Sequence, residues 1–332
     1  MARFRIVGAG VSGSYLYSRL RDTGDVEVLD KNPNQRGHSC GWGSYEDQLK
    51  HRLSKVGLDL EDYVLNRVRR YVLNGVSIKI RNQVIVDKPR MLEDLLPAKE
   101  VVKGEVSEFR PLKGEVLINA TSHPFVEHNR IALIQHRVAV KGLERNTIYI
   151  YIHPKFIGYG WAFPISDSGR DWHLGGGCSH GDPSVLVEKL KRRYGVEEVG
   201  RLCSCGREIR VVDPEKAVLV RDRVVSIGEA AGVVEPITCE GILPSIDSAE
   251  ILYNSLHRDD YAASYEESML EMLSKCEPAY EMWRLMHRHH RWAWLKGFGY
   301  IVERAESNIK PELTVVTKLK LVKEILFGQM IL

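Results

Sequence analysis

No apolar run in this sequence approaches the roughly 18 residues that a membrane-spanning helix needs, which excludes a chain that crosses a bilayer as a helix. Cysteine is sparse. The six in 332 residues, at 40, 178, 203, 205, 239 and 276, are too scattered to staple a small secreted scaffold, and a cytoplasmic protein is the simpler reading. Net charge is also lacking: Lys+Arg 47 against Asp+Glu 44 leaves +3, so no overall field recruits nucleic acid. No repeat, low-complexity segment or Pro/Ser-rich linker separates one part from another, so any two domains are interwoven rather than strung in series. His287, His289 and His290 cluster without a convergent carboxylate, and no metal site is expected from them.

What is present is an ordinary globular composition, 44% hydrophobic and 27% charged, which excludes a disordered chain. Arg3 and Arg5 ahead of the apolar run Ile6 to Leu16 imitate a signal peptide, but the run is better explained as a buried strand, a glycine turn and a helix. Phe4 to Val7 reads as strand, Gly8-Ala9-Gly10-Val11-Ser12-Gly13 as the turn, Ser12 to Asp22 as helix and Val26 to Leu29 as a second strand ending at Asp30. The three glycines differ in what they do. Gly8 permits the tight turn, Gly10 lets backbone approach a pyrophosphate, and Gly13 lets helix pack closely on strand. The helix N-terminus faces the anion, and Asp30 is placed to accept from ribose hydroxyls. This predicts a dinucleotide site.

A second glycine turn decides which dinucleotide. The buried-strand pattern Val224 to Ile227 feeds Gly228-Glu229-Ala230-Ala231-Gly232, then Pro236, then Gly241-Ile242 at the start of a long helix. A nicotinamide cofactor needs no such second clamp, whereas FAD is long enough to need one. Glu229 is placed to accept from a ribityl hydroxyl. The helix after Gly241 aims its N-terminus at the flavin pyrimidine, where negative charge builds on reduction.

Elsewhere the pattern predicts a loop from Lys31 to Gly43, a helix from Tyr45 to Tyr63, a hairpin over 71–87 turning at Arg81-Asn82, a helix from Arg90 to Lys99 and strands from Val101 to Ile118. A β-rich region follows over 131–177, and the chain from about Ser245 onward is mostly helical. Tyr159, Trp161 and Phe163 alternate and share one strand face, which by periodicity alone is an ordinary core face. Cys203 and Cys205 receive no function. The stretch Trp283 to Leu295 mixes bases with indoles in a way that suits a membrane interface or a lid.

These residues carry a resemblance. Gly8 to Gly13 with Asp30, Gly228 to Gly232 with Pro236 and Gly241-Ile242, and Tyr159-Gly160-Trp161-Ala162-Phe163-Pro164 between them resemble the geranylgeranyl reductase family, within the para-hydroxybenzoate hydroxylase-like flavoproteins, over about residues 1–250. The chain departs from that family in having Phe156 for a proline, Glu229 for an aspartate, and Thr238-Cys239-Glu240 for a run of glycines.

The resemblance implies an α/β fold: a discontinuous Rossmann-like FAD domain (1–70, 90–125 and 206–250) interwoven with an antiparallel-sheet substrate domain (71–89 and 126–205), and a helical C-terminal region (251–332). It implies an FAD-dependent oxidoreductase that saturates C=C bonds of an isoprenoid chain, with Tyr159, Trp161 and Phe163 in the wall of a lipid tunnel. Cys40 would sit near the flavin, as a proton donor or as packing, and Arg90 would pair a FAD phosphate or stand as a solvated charge. The partners implied are a prenyl lipid or prenyl diphosphate, a ferredoxin-like protein or NAD(P)H as electron donor, and transient contact with a membrane surface. A flavin monooxygenase or halogenase of the same fold is the alternative, and a non-catalytic flavin and lipid carrier is another.

Overall fold

The computed structural model describes residues 3–36, 41–106, 108–288 and 290–326. Two sheets organise them. The first runs in the order Val220–Arg221, Val224–Ser226, Glu115–Asn119, Arg3–Val7, Asp25–Asp30, Val101–Lys103. Arg3–Val7 lies between two parallel neighbours, Asp25–Asp30 and Glu115–Asn119. Such a strand is covered on both faces, and Phe4, Ile6 and Val7 are all buried. Helices Val11–Leu20, Lys88–Leu95 and Ile242–Ser255 cover this sheet, and Leu16, Leu92 and Ile246 meet in one core with Ile6, Ile118 and Ile227.

The second sheet has eight strands, in the order Glu197–Val211, Asn129–Lys141, Asp171–Cys178, Gly158–Pro164, Thr147–His153, Val64–Leu73, Val76–Val86, Gly43–Tyr45. Its back is covered by helix Pro183–Tyr194, whose Val187 and Leu190 pack in one core with Trp172 and Leu174. The helix lies so close that a Cβ at Gly160 would stand 2.7 Å from the Leu186 carbonyl oxygen.

The predicted α/β architecture, with two sheets and a helical C-terminal region, is the one observed. Several boundaries move. Strands Gly43–Tyr45, Val64–Leu73 and Glu197–Val211 belong to the large sheet, which therefore takes residues 43–45, 64–70 and 206–211 that were expected in the cofactor domain. The two long strands run on through their bulges, and a strand does not end where a composition pattern does. The hairpin turns at Asn74-Gly75, both left-handed, and not at Arg81-Asn82, where Asn82 marks a bulge within the second strand. The helix expected over Tyr45 to Tyr63 is shorter, Glu46–Ser54. Among the described residues the C-terminal region holds five helices, from Ile242–Ser255 to Val315–Leu326, with Tyr261–Ser274, Glu277–Arg288 and His290–Asn308 between.

Candidate functional site

The two sheets and the last helices enclose a cavity of about 970 Å³. Its two ends differ in chemistry.

One end is polar and is built by the first βαβ unit. Gly8 has φ +109°, a left-handed region that favours glycine, and a Cβ there would lie 2.5 Å from the Ala120 carbonyl oxygen. A Cβ at Gly13 would overlap the Gly8 carbonyl oxygen. Gly10 differs, because a Cβ there meets nothing within 4 Å. Its space belongs to the cavity. Asp30 stands at the tip of the second strand and accepts from the Ala9 amide at 2.8 Å and the Asn32 amide at 2.7 Å.

Two cations reinforce this end, and neither is singled out by sequence pattern. Arg36 is nearly buried, with 6% of its side chain exposed, and it pairs with Glu93 at 2.8 Å. Burial lowers its guanidinium from the usual value despite the nearby carboxylates. Lys88, the first residue of helix Lys88–Leu95, is also buried and lines the cavity. Arg90, the residue that the resemblance puts at a phosphate, is exposed, stacks over the Tyr63 ring and lines no part of the cavity. Two helical residues carry a side chain about 200° round the axis, so Lys88 and Arg90 face opposite ways.

In the middle of the cavity lies the second glycine turn. Gly228 and Gly232 have φ of +64° and +79° and are buried turn positions rather than lining residues. Glu229 does line the cavity. Its carboxylate accepts from the Arg210 amide at 2.9 Å and forms an ion pair with Arg207, itself a lining residue. The side chain, longer by one methylene than the expected aspartate, reaches across to strand Glu197–Val211. Pro236 is buried and outside the lining, whereas Gly241 and Ile242 are in it. The helix Ile242–Ser255 thus presents its N-terminus, with unpaired amides, to the cavity.

The other end is apolar. Tyr159, Trp161 and Phe163 all line it, on the face of their strand opposite helix Pro183–Tyr194. Trp161 donates to Gln135 at 3.3 Å and fills the space that glycine leaves at Gly175. The Phe163 ring occupies the space where a Cβ at Gly41 would be. Cys40, the neighbour of Gly41, lies outside the described residues. Ile78, Ile80 and Ile150 from the sheet line the cavity with Ile301 and Leu321 from the last helices and Ile309 from the turn between them. These helices are therefore the roof, a role no sequence motif announces.

A polar group interrupts the apolar wall. The Tyr159 hydroxyl donates to the Thr238 carbonyl at 2.5 Å and also meets the Cys239 side chain. Burial pushes this phenol well above its ordinary range, so it stays protonated. Beside it Glu240 accepts from Tyr45 and pairs with Arg304 at 2.8 Å. Burial alone would lower Arg304, but Glu240 and Glu235 outweigh it and hold the guanidinium charged. Glu235 is fully buried, and burial raises its carboxyl above the usual value. It accepts from the Thr238 amide and hydroxyl. The positive φ of Cys239, +57°, turns this Thr238-Cys239-Glu240 segment into the cavity without the glycines expected of it.

The stretch expected at a membrane interface begins inside the protein. Trp283 and Met286 are 5% and 2% exposed, and Trp283 packs with Tyr280 and His287. Helix Glu277–Arg288 buries its one indole, Trp283, in a core with Ile131, Ile209 and Val211 of the large sheet. The side chains of residues 289–295 lie outside the described residues.

No family model matches the chain. An uncharacterized protein of Methanocaldococcus jannaschii is 22% identical over 308 aligned positions, covering 77% of this chain and 83% of that protein. Among solved structures, a geranylgeranyl bacteriochlorophyll reductase-like protein from Thermoplasma acidophilum superposes with a TM-score of 0.68 at 17% identity, over 99% of this chain and 97% of that one. The fold is therefore shared end to end. It is also the fold of CmlS, a flavin-dependent halogenase (TM-score 0.63, 17% identity, 85% of this chain and 63% of that one). HpxO of Klebsiella pneumoniae, in a variant complexed with FAD, shares it as well (TM-score 0.60, 14% identity, 90% and 97%).

Proposed function

We propose that this protein is an FAD-dependent oxidoreductase that reduces C=C bonds in an isoprenoid chain. The observation that carries the reading is one cavity with a dinucleotide cradle at one end and an apolar, aromatic-walled compartment at the other. The residues present fit the cofactor: the space beyond Gly10 is open, Asp30 caps the second strand, Lys88 and Arg36 line the same cavity as cations able to pair a phosphate, and a helix N-terminus faces it.

Bound there, FAD supplies a hydride to the substrate and takes electrons from a donor. Gly8, Gly10, Gly13, Asp30, Arg36 and Lys88 would hold the ADP half. Gly241 and Ile242 would meet the ring system, and Glu229 with Arg207 the chain between. Trp161, Phe163 and the roof residues exclude water and lay an extended hydrocarbon along the sheet. Reducing an alkene also needs a proton on the second carbon. The Tyr159 hydroxyl already donates its one proton to the Thr238 carbonyl, so the acid of this reading is Cys40, the neighbour of Gly41 in sequence. The reading requires a prenyl lipid or prenyl diphosphate as substrate and a ferredoxin-like protein or NAD(P)H as donor.

The shared fold with a halogenase and with HpxO supports a second reading, oxygen chemistry on the reduced flavin. One experiment separates the two. Purified protein is reconstituted with FAD, reduced with dithionite and incubated without oxygen with geranylgeranyl lipids, and the lipids are weighed by mass spectrometry. Gain of two hydrogens per bond is the expected result. Protein that takes up no FAD, or reduced flavin that reoxidises only with oxygen and yields a hydroxylated or halogenated product, overturns the reductase.

A further inference from the structure

Helix Val315–Leu326 is apolar on two sides. Inward, Leu321 and Ile325 are 2% and 3% exposed, and Leu321 is part of the cavity wall. Outward, Val315, Val316 and Leu319 are 74%, 60% and 66% exposed. At about 100° per residue these three share a face with Lys320 and Lys323, roughly opposite Leu321. Acidic groups near it are engaged elsewhere: Glu324 with Arg193, Glu306 with Lys318, and Glu312 with Lys79 and Arg81. Among the described residues, the outer face therefore combines unburied aliphatic carbon with ammonium groups and carries no carboxylate.

We propose that this face lies on an anionic membrane, with Val315, Val316 and Leu319 in the headgroup–acyl boundary and Lys320 and Lys323 on lipid phosphates. That chemistry matches the face residue by residue, because a lysine stem lies along apolar surface while its charge stays at the polar layer. A second copy fits it poorly. Two-fold pairing about this helix would set the lysines of one copy against those of the other, with no acid on the described face to separate them. The docking brings the apolar end of the cavity to within one helix diameter, about 10 Å, of the acyl chains. It holds whatever the cavity takes as substrate.

The test is co-sedimentation of the full chain with phosphatidylcholine vesicles, with and without phosphatidylglycerol. We expect binding that prefers the anionic vesicles and weakens with salt. Val316→Glu with Leu319→Glu should lower the partition coefficient by roughly a hundredfold, since each of the two aliphatic side chains kept in water forfeits about a decade. Lys320→Glu with Lys323→Glu should abolish the preference for phosphatidylglycerol. Leu319→Trp should move its emission to the blue on vesicles, and an unchanged melting temperature in every variant shows that folding is intact. Failure of the full chain to sediment, sedimentation indifferent to both double variants, or an indole that does not shift overturns the proposal. So does a dimer in light scattering that Val316→Glu with Leu319→Glu splits, which would assign the face to a second copy.

Discussion

Three glycines in six residues do two different physical jobs, and single methyl groups tell them apart. Gly13→Ala drives a Cβ into the Gly8 carbonyl, and the overpacking should destabilise the protein by about 1–3 kcal/mol in urea unfolding. Gly10→Ala meets only open space, so the apoprotein should unfold at the wild-type urea concentration, while FAD affinity falls about tenfold or more by flavin fluorescence titration. Equal loss of stability in both variants would mean that the space beyond Gly10 is not where a phosphate goes. The pair is legible in the sequence because the spacing alone distinguishes the two roles. Arg36 and Lys88 are not legible. A lone base in a polar loop or at a helix start has no periodic signature, and only the fold shows that it is buried beside the cradle.

Elements are legible where one pattern dominates and obscure where two compete. The first βαβ unit, the strand Gly158–Pro164 and the C-terminal helices follow their periodicity. The hairpin turn is misplaced by pattern because Arg81-Asn82 interrupts a β-rich run, while Asn74-Gly75, the better turn pair, lies near its start. Strand Thr147–His153 carries a consequence that only its packing reveals. It ends at a buried His153 between Tyr151 and Phe156, and burial brings that imidazole down from 6.5 to about 4. The unfolded chain takes up a proton below pH 6.5 that the native site refuses until about pH 4. Stability from this residue is therefore complete above pH 6.5 and lost as the pH falls to about 4, by ~3 kcal/mol across that window. In His153→Gln, the urea midpoint should depend less on pH over this window than in the wild type. A parallel dependence in the two proteins would show that other groups set the acid limit.

At the scale of the whole molecule, the interweaving expected from the lack of a linker takes a definite form. Both sheets and the roof helices face one cavity, so a ligand there touches every layer. Removing FAD should lower the melting temperature of the entire protein as one transition, and restoring it at a hundredfold excess over its dissociation constant should return about 2.7 kcal/mol. Calorimetry with two separate transitions, only one of them moved by FAD, would show that the layers unfold independently. The roof itself is beyond sequence reading, since amphipathic helices state that they cover something and not what.

The central strand Arg3–Val7 and its neighbour Glu115–Asn119 lie more than a hundred residues apart in sequence, and the strand beyond that, Val224–Ser226, follows a further hundred on. A nascent chain must hold Arg3–Val7 unpaired on that side until those partners arrive. The helix Ile242–Ser255 and the roof follow every strand of both sheets, so the cavity closes only after both sheets have been made. Truncation before Ile242 keeps every strand of both sheets but leaves the cavity without its roof.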